Sequence, residues 1–231
     1  MTRQLRKYFV SLAAALLLGA CAATSPEFDA GMKDFNRGEH LLALGHWQPV
    51  ADAGDADAQQ AIGWLYENGL GVGQDYKTSA SWYQKSVDGG HAGAALNLGN
   101  LLDNGLGLPK NYVRSFALFQ TAAAAGFAKA YNNMGEMYRL GQGVEKDDRE
   151  AFYLFRVAAE EDYAPAQNRV GVMLFRGQGN KQDAKEAYYW TGRAVLNGQA
   201  GAEHNRDFIR TFLTAGQIKD VERRLASEGK P

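Results

Sequence analysis

A step of 36 residues repeats through most of this 231-residue chain. Gly63, Gly99, Gly135 and Gly171 are spaced by it, as are Gly69, Gly105, Gly141 and Gly177, and Gly71, Gly107, Gly143 and Gly179. Ala58, Ala94, Ala130, Ala166 and Ala202 keep the same step, and so do Asp75, Asn111, Asp147 and Asp183. Chance does not sustain five columns in one register. A period of this length marks a unit that cannot bury its apolar face alone and must stack on copies of itself.

Each unit reads as a pair of helices. Ala58, Ile62, Leu65 and Tyr66 recur at helical spacing and give the first helix (A) an apolar stripe. Gly69 stands where the stripe stops, as a left-handed C-terminal cap requires. Gly71 supplies a second backbone position that a Cβ would obstruct. Val72, Leu108 and Val144 anchor the loop, and Asp75 is the N-cap of the second helix (B). Asp147 with Glu150, and Asp183 with Glu186, have the offset of a capping box. Helix B carries Ser79, Trp82, Tyr83, Ser86 and Val87, matched later by Ala151, Leu154, Phe155, Ala158 and Ala159. The small residues admit close helix approach, and the aromatics are expected to fill the space between units. Gly90, Gly126 and Gly198 end helix B, and Asp162 takes their place in the third unit.

Units of this length with Ala-x-x-x-Leu-Gly, Gly-x-Gly-Val and Asp-x-x-x-Ala-x-x-Trp features resemble the Sel-one-like repeat (SLR) family, relatives of the tetratricopeptide repeats. Ala94-Ala95-Leu96-Asn97-Leu98-Gly99 and Gly141-Gln142-Gly143-Val144 carry the likeness most closely. The resemblance covers four units, residues 56–199, and implies an all-α, right-handed α-solenoid of helix pairs. Asn180 replaces the apolar loop residue of the fourth unit, and Asp207 replaces the helix A glycine after it. A fifth complete unit is therefore not expected.

The flanks read as caps, which a solenoid needs because its end units otherwise expose an apolar face. Residues 27–55 form an N-terminal cap: a short helix around Phe28 to Phe35, then a degenerate helix B with Leu41, Leu42, Trp47, Val50 and Ala51. Residues 200–231 form the other cap. There Phe208, Ile209, Phe212 and Leu213 make one amphipathic helix, Gly216 breaks it, and Ile218, Val221 and Leu225 make a second.

The first 20 residues read as an address. Arg3, Arg6 and Lys7 precede an apolar run from Tyr8 to Ala20 that is too short for a helix to span about 30 Å of hydrocarbon, so a secretory signal is the better reading. Leu18-Gly19-Ala20-Cys21 resembles the lipobox of bacterial lipoproteins, and Cys21 is the only cysteine in the chain. The resemblance implies cleavage before Cys21, acylation of its sulfur and new N-terminus, and durable attachment to a bilayer. Residues 21–26 would then be a tether. In a Gram-negative cell, Ala22 after the cysteine implies the outer membrane, with the body on the periplasmic side.

No reaction centre is legible. A formal charge of −1 removes the electrostatic argument for nucleic acid. The loop Gly69-Leu70-Gly71-Val72-Gly73 follows a helix and lacks the Gly-Lys-Ser/Thr of a phosphate-binding loop, so a structural role is expected. His40, His46, His91 and His204 stand at no metal-ligand spacing, and Asp52, Asp55 and Asp57 lack the glycine and terminal glutamate of a calcium loop. There is no Gly-x-Ser-x-Gly. No cofactor, metal or enzymatic activity is expected.

What remains is a surface. By the same resemblance, helix A lines the concave side of the solenoid. Superposing units by 36 aligns Ala61, Asn97, Asn133, Arg169 and Asn205, then Trp64, Asn100, Glu136 and Val172, then Asn68, Asn104, Leu140 and Arg176. Asn97, Asn100 and Asn104 share one helix face, with Asn132, Asn133 and Glu136 beside them, then Arg169 and Arg176. Amides can pair with any extended backbone, Arg suits a carboxylate, and Trp64 offers an apolar anchor. The expected groove has asparagines in the middle, arginines at one end and an aromatic at the other. A solvated polar face, with some asparagines bonding between neighbouring helices, fits the same columns.

The function expected from these features is a membrane-anchored scaffold that binds an envelope protein or peptide. A cell-wall hydrolase or β-lactam-binding protein is the second reading, although the cysteine-rich relatives linked to β-lactams carry paired cysteines that this chain lacks. Self-association is the third.

Overall fold

The computed structural model describes residues 25–228. Among the described residues there are twelve α-helices and no strand. The N-terminal pair is α1 (Pro26–Asn36) and α2 (His40–Asp52). Four equal pairs follow: α3 (Ala56–Asn68) and α4 (Tyr76–Asp88), α5 (Ala92–Asn104) and α6 (Tyr112–Ala124), α7 (Ala128–Leu140) and α8 (Asp148–Glu160), α9 (Ala164–Arg176) and α10 (Ala184–Leu196). The chain closes with α11 (Ala202–Arg210) and α12 (Ala215–Glu228). Each helix of the four pairs packs on the one before and the one after, which makes the architecture an α-solenoid.

The hairpin loop closes the same way in every unit. Helix A ends on a glycine in the left-handed region, with φ of 67° at Gly69 and 72° at Gly105. Helix B begins on an Asp or Asn whose side chain accepts from the first-turn N–H groups, as Asp75 does from Lys77 (2.9 Å) and Thr78 (3.2 Å). The cap residue's own N–H returns to helix A: Asp75 donates to the Tyr66 carbonyl (2.9 Å), Asn111 to Leu102 (3.1 Å), Asp147 to Tyr138 (3.0 Å) and Asp183 to Leu174 (3.0 Å). A reciprocal capping box is therefore not formed. Glu186, free of that task, accepts from the Trp190 indole and the Arg224 guanidinium.

Two glycine columns set the packing. A Cβ on Gly99 would stand 2.7 Å from the Phe119 ring, and one on Gly135 would stand 2.9 Å from the Phe155 ring. The large aromatics thus lie over the glycine of their own helix A and also fill the space towards the next unit, where Phe119 shares a core with Ala130, Met134 and Met137, and Phe155 with Ala166 and Val170. The second loop glycine makes the link to the preceding unit. Gly107 has φ +69°, and a Cβ there would be 2.3 Å from the Tyr76 carbonyl carbon at the start of α4. Gly71 meets the start of α2, Gly143 the start of α6, and Gly179 the start of α8 in the same way. Where Gly90 and Gly126 leave helix B with positive φ, Asp162 does so at +59°, its carboxylate held by Gln167 and Arg193.

The caps are built by different means. The α1–α2 pair repeats the hairpin with a three-residue connection: Gly31 lies under Trp47, whose indole donates to the Phe28 carbonyl (3.1 Å). Ser25 caps α1 (3.0 Å to the Phe28 N–H) and Pro26 opens it, so the folded body begins inside the expected tether. The signal segment, Cys21 and the rest of the tether lie outside the described residues. At the other end the helix break falls at Thr211–Thr214, not at Gly216. Thr214 and Gln217 cap each other's backbone there (2.9 and 3.3 Å), and Gly216 sits in the first turn of α12. Helix α12 folds back onto α10 rather than pairing with α11, with Leu225 over Gly192 and the Arg224 guanidinium 3.4 Å from the Tyr189 ring centroid. No helix among the described residues is long and apolar enough to cross a membrane.

Candidate interaction face

The outward side chains of successive A helices meet, mostly at an offset of 33 residues and once at 37, where Asn205 donates to the Asn168 side-chain oxygen (2.9 Å). Asn133 donates to the Asn100 side-chain oxygen (2.9 Å) across 33 residues. Glu136 pairs with Arg169 at 3.0 Å, and Phe175 meets Phe208 edge to face at 5.6 Å, both at the same separation. These contacts join diagonal neighbours displaced by three residues, or by one for Asn168 and Asn205, rather than members of one aligned column.

This displacement decides what each candidate does. Asn97 is half-buried beside the Tyr83 hydroxyl, which donates to Glu67 (2.5 Å). Burial, reinforced by Glu67, pushes that hydroxyl far above its ordinary range and keeps it a donor. Asn100, Asn133 and Asn132 form one chain of side-chain contacts, the last at 3.5 Å, and the Asn132 oxygen is buried without a partner. Asn104 is exposed but turns back to the Asn100 carbonyl (2.8 Å), the same local bond that Asn68 makes to Trp64 (2.9 Å). It finishes its own helix. Glu136 is shared between Arg139 (2.7 and 2.9 Å) and Arg169, whose guanidinium lies 5.4 Å from the Phe155 ring centroid. Arg176 is exposed, with no hydrogen bond or ion pair among the described residues. The asparagines therefore bond between and within the A helices, as the solvated-face alternative has it.

The aromatic end is the reverse of the expected one. Trp64 is half-buried, packed edge-on against Phe35 at 5.4 Å and joined to the cores on both sides. The exposed aromatics are instead Phe208 (53% exposed) and Phe212 (59%), which close a three-ring cluster with Phe175. They share the end of the face that holds Arg169 and Arg176. Charge follows the same axis. Helices α1, α3 and α5 carry acid in excess, with Glu27, Asp29, Asp34, Asp57, Glu67 and Asp103 against Lys33. Helices α7 and α9 carry base in excess, with Lys129, Arg139, Arg169 and Arg176 against Glu136, and α11 is balanced.

Asp103 went unremarked in the sequence because its burial depends on the helix offset, which sets it against Glu136. One of its oxygens is buried and unpartnered. Burial pushes its carboxyl above the ordinary range, with Lys110 opposing and Glu136 reinforcing. Burial acts the same way on Glu136, but the Arg139 hydrogen bonds and the Arg169 charge outweigh it and hold that carboxyl low. A raised folded-state pKa destabilises the protein above it and is neutral where both states are protonated. Asp103→Asn is therefore expected to raise the melting temperature at pH 7, and the gain should fade as pH falls towards about 4, the unfolded carboxyl range, and be gone below it. Glu136→Gln should do the opposite, lowering stability at pH 7 and less so in acid. Thermal unfolding across pH tests both signs.

Among the described residues no group of His, Cys, Asp and Glu is placed to hold a metal ion. His91, for one, caps α5 through Nδ1 (3.0 Å to the Ala94 N–H) and meets Asp57 at 3.2 Å.

Comparison with known proteins matches the Sel1 repeat to residues 56–91, 92–127, 128–163 and 164–199. Among solved structures, a protective antigen present in uropathogenic Escherichia coli strains, displaying an SLR fold, is 31% identical with a TM-score of 0.79. That likeness covers 85% of this chain but 43% of the antigen, so this chain spans less than half of that protein's length. A Sel1 repeat protein from Oxalobacter formigenes is 27% identical, with a TM-score of 0.73 over 86% of this chain and 81% of the other. No curated protein matches.

Proposed function

This chain belongs to the Sel1 repeat family, whose solenoid is a general scaffold for protein interaction, and from that premise we propose that it is a lipid-anchored envelope protein that holds an extended protein segment on its A-helix face. The observation that carries the binding reading is the stitched face itself. Its amides and charges are fixed by contacts such as Asn100–Asn133 and Glu136–Arg169, so little side-chain entropy remains to be lost when a partner arrives.

The anchor rests on Leu18-Gly19-Ala20-Cys21 and on how soon the fold begins after it. Only residues 22–24 separate Cys21 from the Ser25 cap, about 10–15 Å of chain at full extension. The N-terminal cap would stand against the bilayer, with the rest of the solenoid projecting from it.

Two measurements test the two halves. Cys21→Ser is expected to move the protein from the membrane fraction to the soluble fraction; retention in the membrane defeats the anchor. A photo-crosslinking residue placed at Asn97 or Asn104 is expected to trap a partner in the native cell, while the same residue at Tyr153 on helix B traps none. Equal yields from the two faces defeat the binding reading.

A further inference from the structure

We infer that the C-terminal end of the A-helix face is a subsite for an apolar side chain flanked by a carboxylate, in an extended peptide segment. Phe175, Phe208 and Phe212 stand edge to face with centroids 5.0 to 5.6 Å apart. Two of the three rings are more than half exposed, which is unusual for phenylalanines already in contact with one another. A contiguous apolar surface of this kind, rimmed by polar groups, marks a contact site.

Charge complementarity selects the occupant. Arg176 follows Phe175 directly and leaves its guanidinium without an ion pair among the described residues. Three arginines elsewhere on this half of the face are committed: Arg139 and Arg169 to Glu136, and Arg206 to Asp207. An unpaired planar donor beside an open aromatic cluster suits a carboxylate one or two residues from a leucine or aromatic side chain. The acidic excess on α1, α3 and α5 turns the remainder of an acidic segment away from the other end, so the segment lodges here and not at Trp64.

This inference rests on the binding reading given above and adds the chemistry of one end of the same face. The test uses the full chain and fluorescein-labelled twelve-residue Ser/Gly peptides. One carries Asp-Glu-Leu-Phe at its centre, a second Lys-Arg-Leu-Phe, and a third Asp-Glu-Ala-Ala. Fluorescence anisotropy should show the first binding at least tenfold tighter than the other two. Phe208→Ala should weaken it at least tenfold, and Arg176→Glu should invert the preference between the first two peptides at an unchanged melting temperature. Equal binding of the acidic and basic peptides overturns the inference, as does binding indifferent to both substitutions, or no binding of the first peptide. If crosslinks still form at Asn97 or Asn104 while the peptides fail, the binding reading stands and only this subsite falls.

Discussion

Gly107→Ala is expected to destabilise the protein by about 2–5 kcal/mol, a large share of the stability of most domains. Two costs add. The left-handed backbone at φ +69° charges any residue with a Cβ about 1–2 kcal/mol. The new methyl group would also lie 2.3 Å from the Tyr76 carbonyl carbon and 2.5 Å from the Lys77 nitrogen. Those atoms are backbone at the start of α4 and cannot swing aside, so the loop or the neighbouring unit must move, at about 1–3 kcal/mol for an overpacked contact. Gly126→Ala separates the two terms. Its φ is +89° with nothing within 4 Å of a Cβ, so it should lose only the backbone share. Urea denaturation followed by helix signal gives both values, and equal losses would show that Gly107 does not key one unit to the last.

Phe155→Ala is the second large effect, about 3–5 kcal/mol. The ring has no exposure, seats on Gly135, and belongs to the largest apolar cluster, which joins the third and fourth units to the C-terminal cap. A cavity there cannot be refilled by collapse, because Gly135 has no side chain to lend and the α7 backbone is already at contact distance. The fourth unit has Thr191 in that column, its hydroxyl bonded to the Ala187 carbonyl (2.9 Å), so Thr191→Ala should cost far less. Since each unit touches only its neighbours, hydrogen exchange should show the loss around α7–α10 while α1–α3 keep their protection. A uniform rise in exchange along the chain would contradict that.

The repeat made the fold legible: a glycine where helix A stops and an Asp or Asn where helix B starts are local signals, and both stand where the period put them. The face was legible only in composition. A column aligned by 36 gathers equivalent residues, but which of them touch depends on how far one rigid helix is displaced along the next. That displacement arises from packing over Gly99 and Gly107 and from no single residue's propensity. It is why Asn133 bonds Asn100 rather than standing beside Asn97, and why Glu136 finds Arg169. The aromatic end was misplaced for a related reason. Trp64 looked available because Phe35 belongs to a cap whose shortened connection lay outside the register. Phe208 and Phe212 looked buried because an amphipathic pattern does not say whether anything covers the far side. At the break before α12, glycine was the louder signal, yet the Thr214–Gln217 cap decides the boundary.

The keyed loop glycines have a bearing on how such a chain can change. Gly107 reads the backbone at Tyr76, and Gly143 reads the backbone at Tyr112, the same residue in the same place. Excision of one whole period would leave Gly143 facing Tyr76 and finding what it already fits. Length is thus a quantised property here: gene slippage in steps of one period preserves every junction, and slippage by any other amount destroys one. The protein can grow or shrink between its two dissimilar ends without either end taking notice.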